Sequence, residues 1–99
     1  MRNPMFVVLL RFSTNKAAAA QHMDGHNAWI QQGLDDGVFL LVGSIAPGLG
    51  GAVLAHNATA SDLEVRVKAD PFVAEDVVTA EIIEIAPGRA DERLAFLLP

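Results

Sequence analysis

The sequence predicts one α+β domain whose elements follow the order strand, helix, strand, strand, helix, strand. Apolar runs of strand length, rich in β-branched and aromatic residues, alternate with two helical patterns along the chain. At 99 residues, 52% of them hydrophobic, residues 1–99 have the length of a single domain with a real core. The lack of cysteine excludes disulfides, thiolate nucleophiles and Cys-ligated metal sites, and it is compatible with a reducing cytoplasm.

The charge distribution excludes a nucleic-acid binder. The net charge is −5, and the seven basic residues are scattered along the chain without forming a patch, whereas phosphate recognition depends on clustered Lys and Arg. The first apolar run is too short for a secretory core or a membrane span. We therefore expect a cytoplasmic protein without nucleic-acid or membrane partners.

The first half of the chain predicts a strand and an interrupted helix. Residues 5–12 are the first strand, and the alanines at 17–20 begin a helix. Gly25 costs about 1 kcal/mol against Ala inside a helix, so the helix is expected to break there. It restarts over residues 25–36 with Asp24 as its N-cap.

Two strands and a glycine-rich tip follow the main helix. Gly37 is expected to stop the helix in the left-handed conformation. Residues 38–46 then form a nearly continuous apolar strand, residues 47–51 carry dense turn chemistry, and residues 52–55 begin the next strand. These segments predict a hairpin.

The last part of the chain predicts a short helix and a final strand. Residues 61–64 read as a capping box with Ser61 as the N-cap, and the Asp70-Pro71 step ends that helix. Residues 77–85 form the final strand. The apolar tail over residues 89–99 is expected to pack on a partner subunit.

This order with right-handed crossovers gives a ferredoxin-like βαββαβ layer, with an antiparallel sheet and two helices on one face. The strands at 38–46 and 77–85 are apolar without alternation, so the other sheet face must also be covered. We expect two copies to pair sheet on sheet as a homodimer, forming a dimeric α+β barrel.

His26 is the leading candidate for acid–base chemistry. A position in the first helical turn favours neutral imidazole, which suits a general base near neutral pH. A carboxylate on its other ring nitrogen would fix the tautomer. Asp70 and Asp36 are both candidates, and distance favours Asp70 because Asp36 lies about three helical turns away. An Asp before Pro that simply makes a turn is an equally good interpretation of Asp70.

Three further residues are candidates for binding a small molecule. Ser44, at the end of a strand, could donate a hydrogen bond to a ligand, although a satisfied hydroxyl explains it more simply. Arg11 could hold an anionic group or form an ion pair at the rim. Phe72 could line an apolar pocket together with Trp29, or pack in the core.

The metal and phosphate patterns are incomplete. His22 and His26 have the spacing of zinc ligands on one helix face, but the third ligand could only be His56 or a carboxylate. The glycine-rich tip precedes a strand, so no helix N-terminus is offered to a phosphate. We expect no metal and no cofactor.

The order of these motifs resembles the YCII-related family over nearly the whole chain. His26 opens the main helix, Asp35-Asp36-Gly37 closes it, residues 42–47 read Val-Gly-Ser-Ile-Ala-Pro, and Asp70-Pro71-Phe72 follows the second helix. The resemblance implies a dimeric protein of the muconolactone-isomerase-like group with an active-site His and Asp, here His26 and Asp70. One branch of the family is similar to enzymes that eliminate chloride from a chlorinated hydroxyquinol.

Two functions are compatible with these features. The first is a lyase or isomerase, dehydrochlorinase-like by resemblance, that uses His26 and Asp70 on a small cyclic or aromatic metabolite. It predicts that both side chains meet beside one cavity. The second is a non-catalytic ligand-binding or assembly module in which His26 is structural, and it predicts that the two side chains point apart or that the cleft is filled.

Overall fold

The computed structural model describes residues 4–98 and has the predicted α+β fold. Four strands form one antiparallel sheet in the order β2-β3-β1-β4. The strands are β1 (Met5–Phe12), β2 (Phe39–Ile45), β3 (Gly50–Ala55) and β4 (Val78–Ile85). The helices are α1 (Ala19–Asp35), α2 (Ala60–Lys68) and α3 (Pro71–Ala74), with 3₁₀ turns at Lys16–Ala18 and Glu92–Leu97. The predicted βαββαβ order is confirmed, and α3 is an addition to it.

Strand alternation divides the sheet into a helix-covered face and an open face. On β1, Phe6, Val8 and Leu10 are buried beneath the helices, since successive side chains of a strand point to opposite faces. They pack in one core with residues from the rest of the fold, including Val53, Leu63, Val67, Phe72 and Val77. The core therefore lies on the helix side of the sheet.

Helix α1 corrects the prediction of a break at Asp24-Gly25. The helix runs without interruption from Ala19 to Asp35. A Cβ atom on Gly25 would lie 3.0 Å from the ring Cγ of Pro71, so the glycine permits a close approach of α1 to α3. Because the helix is continuous, His26 lies well inside it and not in its first turn. The prediction that the helix N-terminus favours a neutral His26 imidazole is therefore wrong.

Helix α2 begins earlier than predicted. Its N-cap is Thr59, whose hydroxyl accepts a hydrogen bond from the Asp62 backbone N–H at 3.1 Å, and the predicted cap Ser61 lies inside the first turn. Either residue type can cap a helix, so the pattern alone did not decide between them. Helix α2 ends at Lys68, just before the Asp70-Pro71 step, as predicted.

The tail packs in part against its own chain. Leu97 is buried within the single chain, and the Phe96 ring meets the His56 ring edge-on at 5.7 Å between centroids. The prediction placed the tail on a partner subunit, whereas Leu97 already contributes to its own domain. Leu94 and Phe96 remain about half exposed.

Helices within residues 4–98 all lack the combination of length and apolarity that crossing a membrane requires.

Candidate functional site

His26 and Asp70 meet although they lie 44 residues apart in the chain. His26 Nδ1 lies 2.8 Å from Asp70 Oδ1. Asp70 is fully buried between α2 and α3, and its extended backbone is the conformation that a following proline favours. Its Oδ1 also accepts the Phe72 backbone N–H at 3.0 Å and so caps α3. The carboxylate position is therefore fixed by the backbone.

The hydrogen bond determines which ring nitrogen of His26 is free. An ionised carboxylate only accepts hydrogen bonds, so Nδ1 must carry the proton in the neutral imidazole. The Nε2 lone pair is then available to take a proton from another molecule. Asp70 Oδ2 is buried and has no hydrogen-bond partner among the described residues. The pair is thus an oriented imidazole backed by a buried carboxylate.

Two aromatic rings lie close to the imidazole and parallel or nearly parallel to it. The Phe72 ring is parallel to the His26 ring, with centroids 3.9 Å apart and 3° between the planes. The Trp29 ring stacks more loosely at 5.9 Å, and its Nε1 donates to the Arg66 backbone carbonyl at 2.8 Å. These contacts restrict rotation of the imidazole and keep its free edge in one place.

A cavity of about 290 Å³ opens beside the His26 ring. It lies between α1, the helix-covered face of the sheet and Phe72, and most of its lining side chains are apolar. The polar side chains that line it are His26, Asn27 and Ser44. Asp70 does not line the cavity and reaches it only through His26. The arrangement can accept a small molecule and transfer a proton at Nε2.

The other predicted site residues divide between the two faces of the sheet. Ser44 and Phe72 line the cavity. Arg11 projects from the open face, where its Nη1 lies 2.8 Å from Glu81 Oε1. Its predicted role in binding an anionic group does not fit this cavity, and the ion pair accounts for it. Asn27 lines the cavity but was missed, because a surface amide has no distinctive sequence pattern.

Asp36, the other possible partner of His26, is engaged elsewhere. Its Oδ2 lies 2.9 Å from Arg66 Nη2, and this ion pair joins the end of α1 to α2. The hydrogen bonds from the Arg66 guanidinium and the Gln32 amide hold the pKa of Asp36 below its usual value. Asp36 is therefore not the residue that orients His26.

His22 and His56 do not join His26 in a metal-binding cluster. Within residues 4–98, no three His, Asp or Glu side chains gather in the way that a metal ion requires.

Comparison with known proteins shows the fold alone. No protein-family model and no curated protein matches this chain. The chain is similar in structure to the crystal structure of MtbAldR, with a TM-score of 0.55 and 11% sequence identity. The similarity covers 91% of this chain and 57% of that one, so this chain spans little more than half the length of MtbAldR. At this identity the similarity concerns the path of the backbone and not the site.

Proposed function

We propose that this chain is a small enzyme, a lyase or isomerase, that uses acid–base catalysis on a small cyclic or aromatic metabolite. The observation that carries the proposal is the 2.8 Å contact between His26 and the fully buried Asp70, beside a cavity that His26 itself lines. A general base must lie within hydrogen-bonding reach of its substrate and have its tautomer fixed. Asp70 orients the His26 ring, and the cavity provides space for a substrate beside that ring.

The proposed reaction begins when Nε2 of His26 removes a proton from a C–H or O–H of the substrate. The electron pair left behind moves into a new double bond. In an elimination it displaces a leaving group, and in an isomerisation the imidazolium returns the proton to another carbon. The Asp70 carboxylate stabilises the imidazolium while it exists, because opposite charges attract strongly at a buried site. Ser44 and Phe72 contact the bound molecule.

The proposal includes membership of the YCII-related family. The motif order along the chain supports it, as do the βαββαβ fold and the meeting of the motif residues His26 and Asp70. The dehydrochlorinase-like branch of that family provides the precedent for the elimination chemistry. A cytoplasmic location is also part of the proposal and rests on the absence of cysteine.

Proton transfer can be tested before the natural substrate is known. We expect the protein to accelerate exchange of the α-hydrogens of cyclohexanone in buffered D₂O, and we expect His26→Gln to remove at least about 99% of that acceleration, since a positioned base contributes about 10²–10⁴-fold. Deuterium incorporation is followed by mass spectrometry. The matched control is His22→Gln, which changes a histidine of the same helix that does not line the cavity.

A non-catalytic ligand-binding module is the second candidate. It is favoured by the structural contacts of the pair, since the Phe72 ring covers one side of His26 and Asp70 caps α3. The exchange experiment separates the two candidates. Equal exchange by the native protein and by His26→Gln would leave ligand binding or assembly as the function.

We also propose a homodimer joined through the open face of the sheet, which would complete a dimeric α+β barrel. Besides the Arg11–Glu81 pair, this face carries an apolar surface formed by Met5, Val7, Leu9, Leu41, Ile45, Leu54, Ile83 and Ile85. Leu41 is 56% exposed in the single chain and Ile83 40% exposed. An apolar face of this kind is usually covered by a partner.

Substitution of Ile83 by Lys is expected to convert the dimer into a monomer, because it places an ammonium group within the apolar surface that the two chains would share. The molar mass in solution, measured by light scattering, should fall from that of two chains to that of one. Val65→Lys is the control, because Val65 is 70% exposed on α2 and lies away from the open face. A native protein with the mass of one chain would contradict the dimer.

A further inference from the structure

We infer that the cavity beside His26 selects uncharged ring-sized molecules and discriminates against carboxylates and ammonium ions of the same size. This inference rests on the proposed function, because it assigns a class of ligand to the same cavity. It concerns binding at equilibrium, whereas the proposed function concerns the transfer of a proton.

Among the described residues, the lining of the cavity offers no countercharge to an ion. The polar side chains that line the cavity are His26, Asn27 and Ser44, and no Lys, Arg, Asp or Glu of the described residues joins them. An ion that enters a mostly apolar site loses its hydration and must be compensated by an opposite charge or by several hydrogen bonds. An uncharged molecule carries no such cost.

The charge of Asp70 strengthens the discrimination against anions. Asp70 lies directly behind His26, so its negative charge opposes an anion in the cavity. The same charge attracts a cation, but Asp70 does not line the cavity, so it cannot replace the hydrogen bonds to water that an ammonium ion loses on entry. Lys16 places its ammonium 4.9 Å from the centroid of the Phe12 ring but does not line the cavity, and Arg11 is paired on the open face.

The size and walls of the cavity suit one six-membered ring. Its volume of about 290 Å³ is at the lower end for sites that bind small molecules. The Trp29 and Phe72 rings form part of the wall, and such faces pack well against a flat or cyclic apolar group.

The single tryptophan makes binding measurable. Trp29 is the only Trp and the chain has no Tyr, so fluorescence excited at the indole band reports on the cavity wall. The probes are cyclohexanecarboxamide, cyclohexanecarboxylate and cyclohexylammonium, which share one ring and differ in charge. We expect the dissociation constant of the carboxamide to be at least about tenfold lower than that of either ion.

A variant that supplies a positive charge tests whether the missing countercharge causes the weak binding of the carboxylate. Met23 lines the cavity from α1, and Lys has nearly the same helix propensity as Met. Met23→Lys is expected to raise the affinity for the carboxylate by at least about tenfold. Leu34→Lys adds the same charge to the same helix away from the cavity, and it should leave the three affinities in their original order.

Three results would overturn the inference. They are native binding of the carboxylate or the ammonium as tight as that of the carboxamide, no binding of the carboxamide, and carboxylate binding that Lys16→Ala abolishes. Failure of the proposed function has a different signature. If the protein binds the carboxamide selectively but does not exchange the protons of cyclohexanone, the charge selection holds and the proposed acid–base function is wrong. If it exchanges the protons but does not bind the carboxamide selectively, only the charge selection is wrong.

Discussion

Asp70→Ala is expected to lower the free energy of unfolding by about 3 kcal/mol. Loss of an N-cap costs about 1 kcal/mol, and the backbone N–H of Phe72 would lose its acceptor. Removal of the carboxylate also deprives the Nδ1–H of His26 of its partner, at a cost of about 1–3 kcal/mol for a part-buried group. In a domain of this size the melting temperature should fall by more than about 10 °C, as measured by circular dichroism.

Asp70→Asn separates the structural role of the residue from its chemical role. The amide oxygen can still accept the Phe72 N–H and the volume is unchanged, so we expect a loss of only about 1 kcal/mol. Cyclohexanone exchange should nevertheless fall by about 10²-fold, because a neutral amide cannot stabilise the imidazolium of His26. Wild-type exchange by a folded Asp70→Asn protein would contradict the orienting role. A loss of stability equal to that of Asp70→Ala would show that the negative charge itself holds α3 in place.

The pairing of His26 with Asp70 could be predicted from the resemblance of the motif order to the YCII-related family and from the roughly three helical turns that separate His26 from Asp36. The continuity of α1 could not. The local cost of Gly25 is real, but its contact with Pro71 depends on where a distant segment lies. Tertiary packing decides whether a helix continues through such a glycine, and the local sequence does not show which distant residue will pack against it.

The position of Arg11 could have been found by stricter use of strand alternation. Leu10 and Phe12 face the cavity, and a period of two residues therefore sends Arg11 to the opposite face of β1. Helix α3 was harder to predict, because its four residues are too few to show helical periodicity. Its only local signal is Asp70 as a cap followed by Pro71 at the first helical position.

The hairpin of β2 and β3 contains a glycine, Gly50, whose substitution should strongly lower the free energy of unfolding. Gly50 opens β3 with φ +139°, and a Cβ atom there would lie 2.0 Å from the Leu10 backbone carbonyl oxygen. Ala at this position would combine an unfavourable backbone conformation with a clash against the central strand. We expect Gly50→Ala to lower the free energy of unfolding by about 4 kcal/mol, as measured by urea denaturation.

Gly48 is the matched control for Gly50, because it lies in the same turn and also has a positive φ, +64°, while a Cβ atom there would meet no other part of the described chain within 4 Å. Gly48→Ala should therefore cost only about 1 kcal/mol, which is the conformational term alone. Equal losses in the two variants would show that backbone conformation, and not the contact with Leu10, makes Gly50 necessary. A larger loss at Gly50 is expected from two sources, a backbone conformation that Ala adopts less readily than that of Gly48 and the clash of its Cβ atom with Leu10. Because Gly50 also lines the cavity, the close approach of β1 and β3 at this position limits the width of the site.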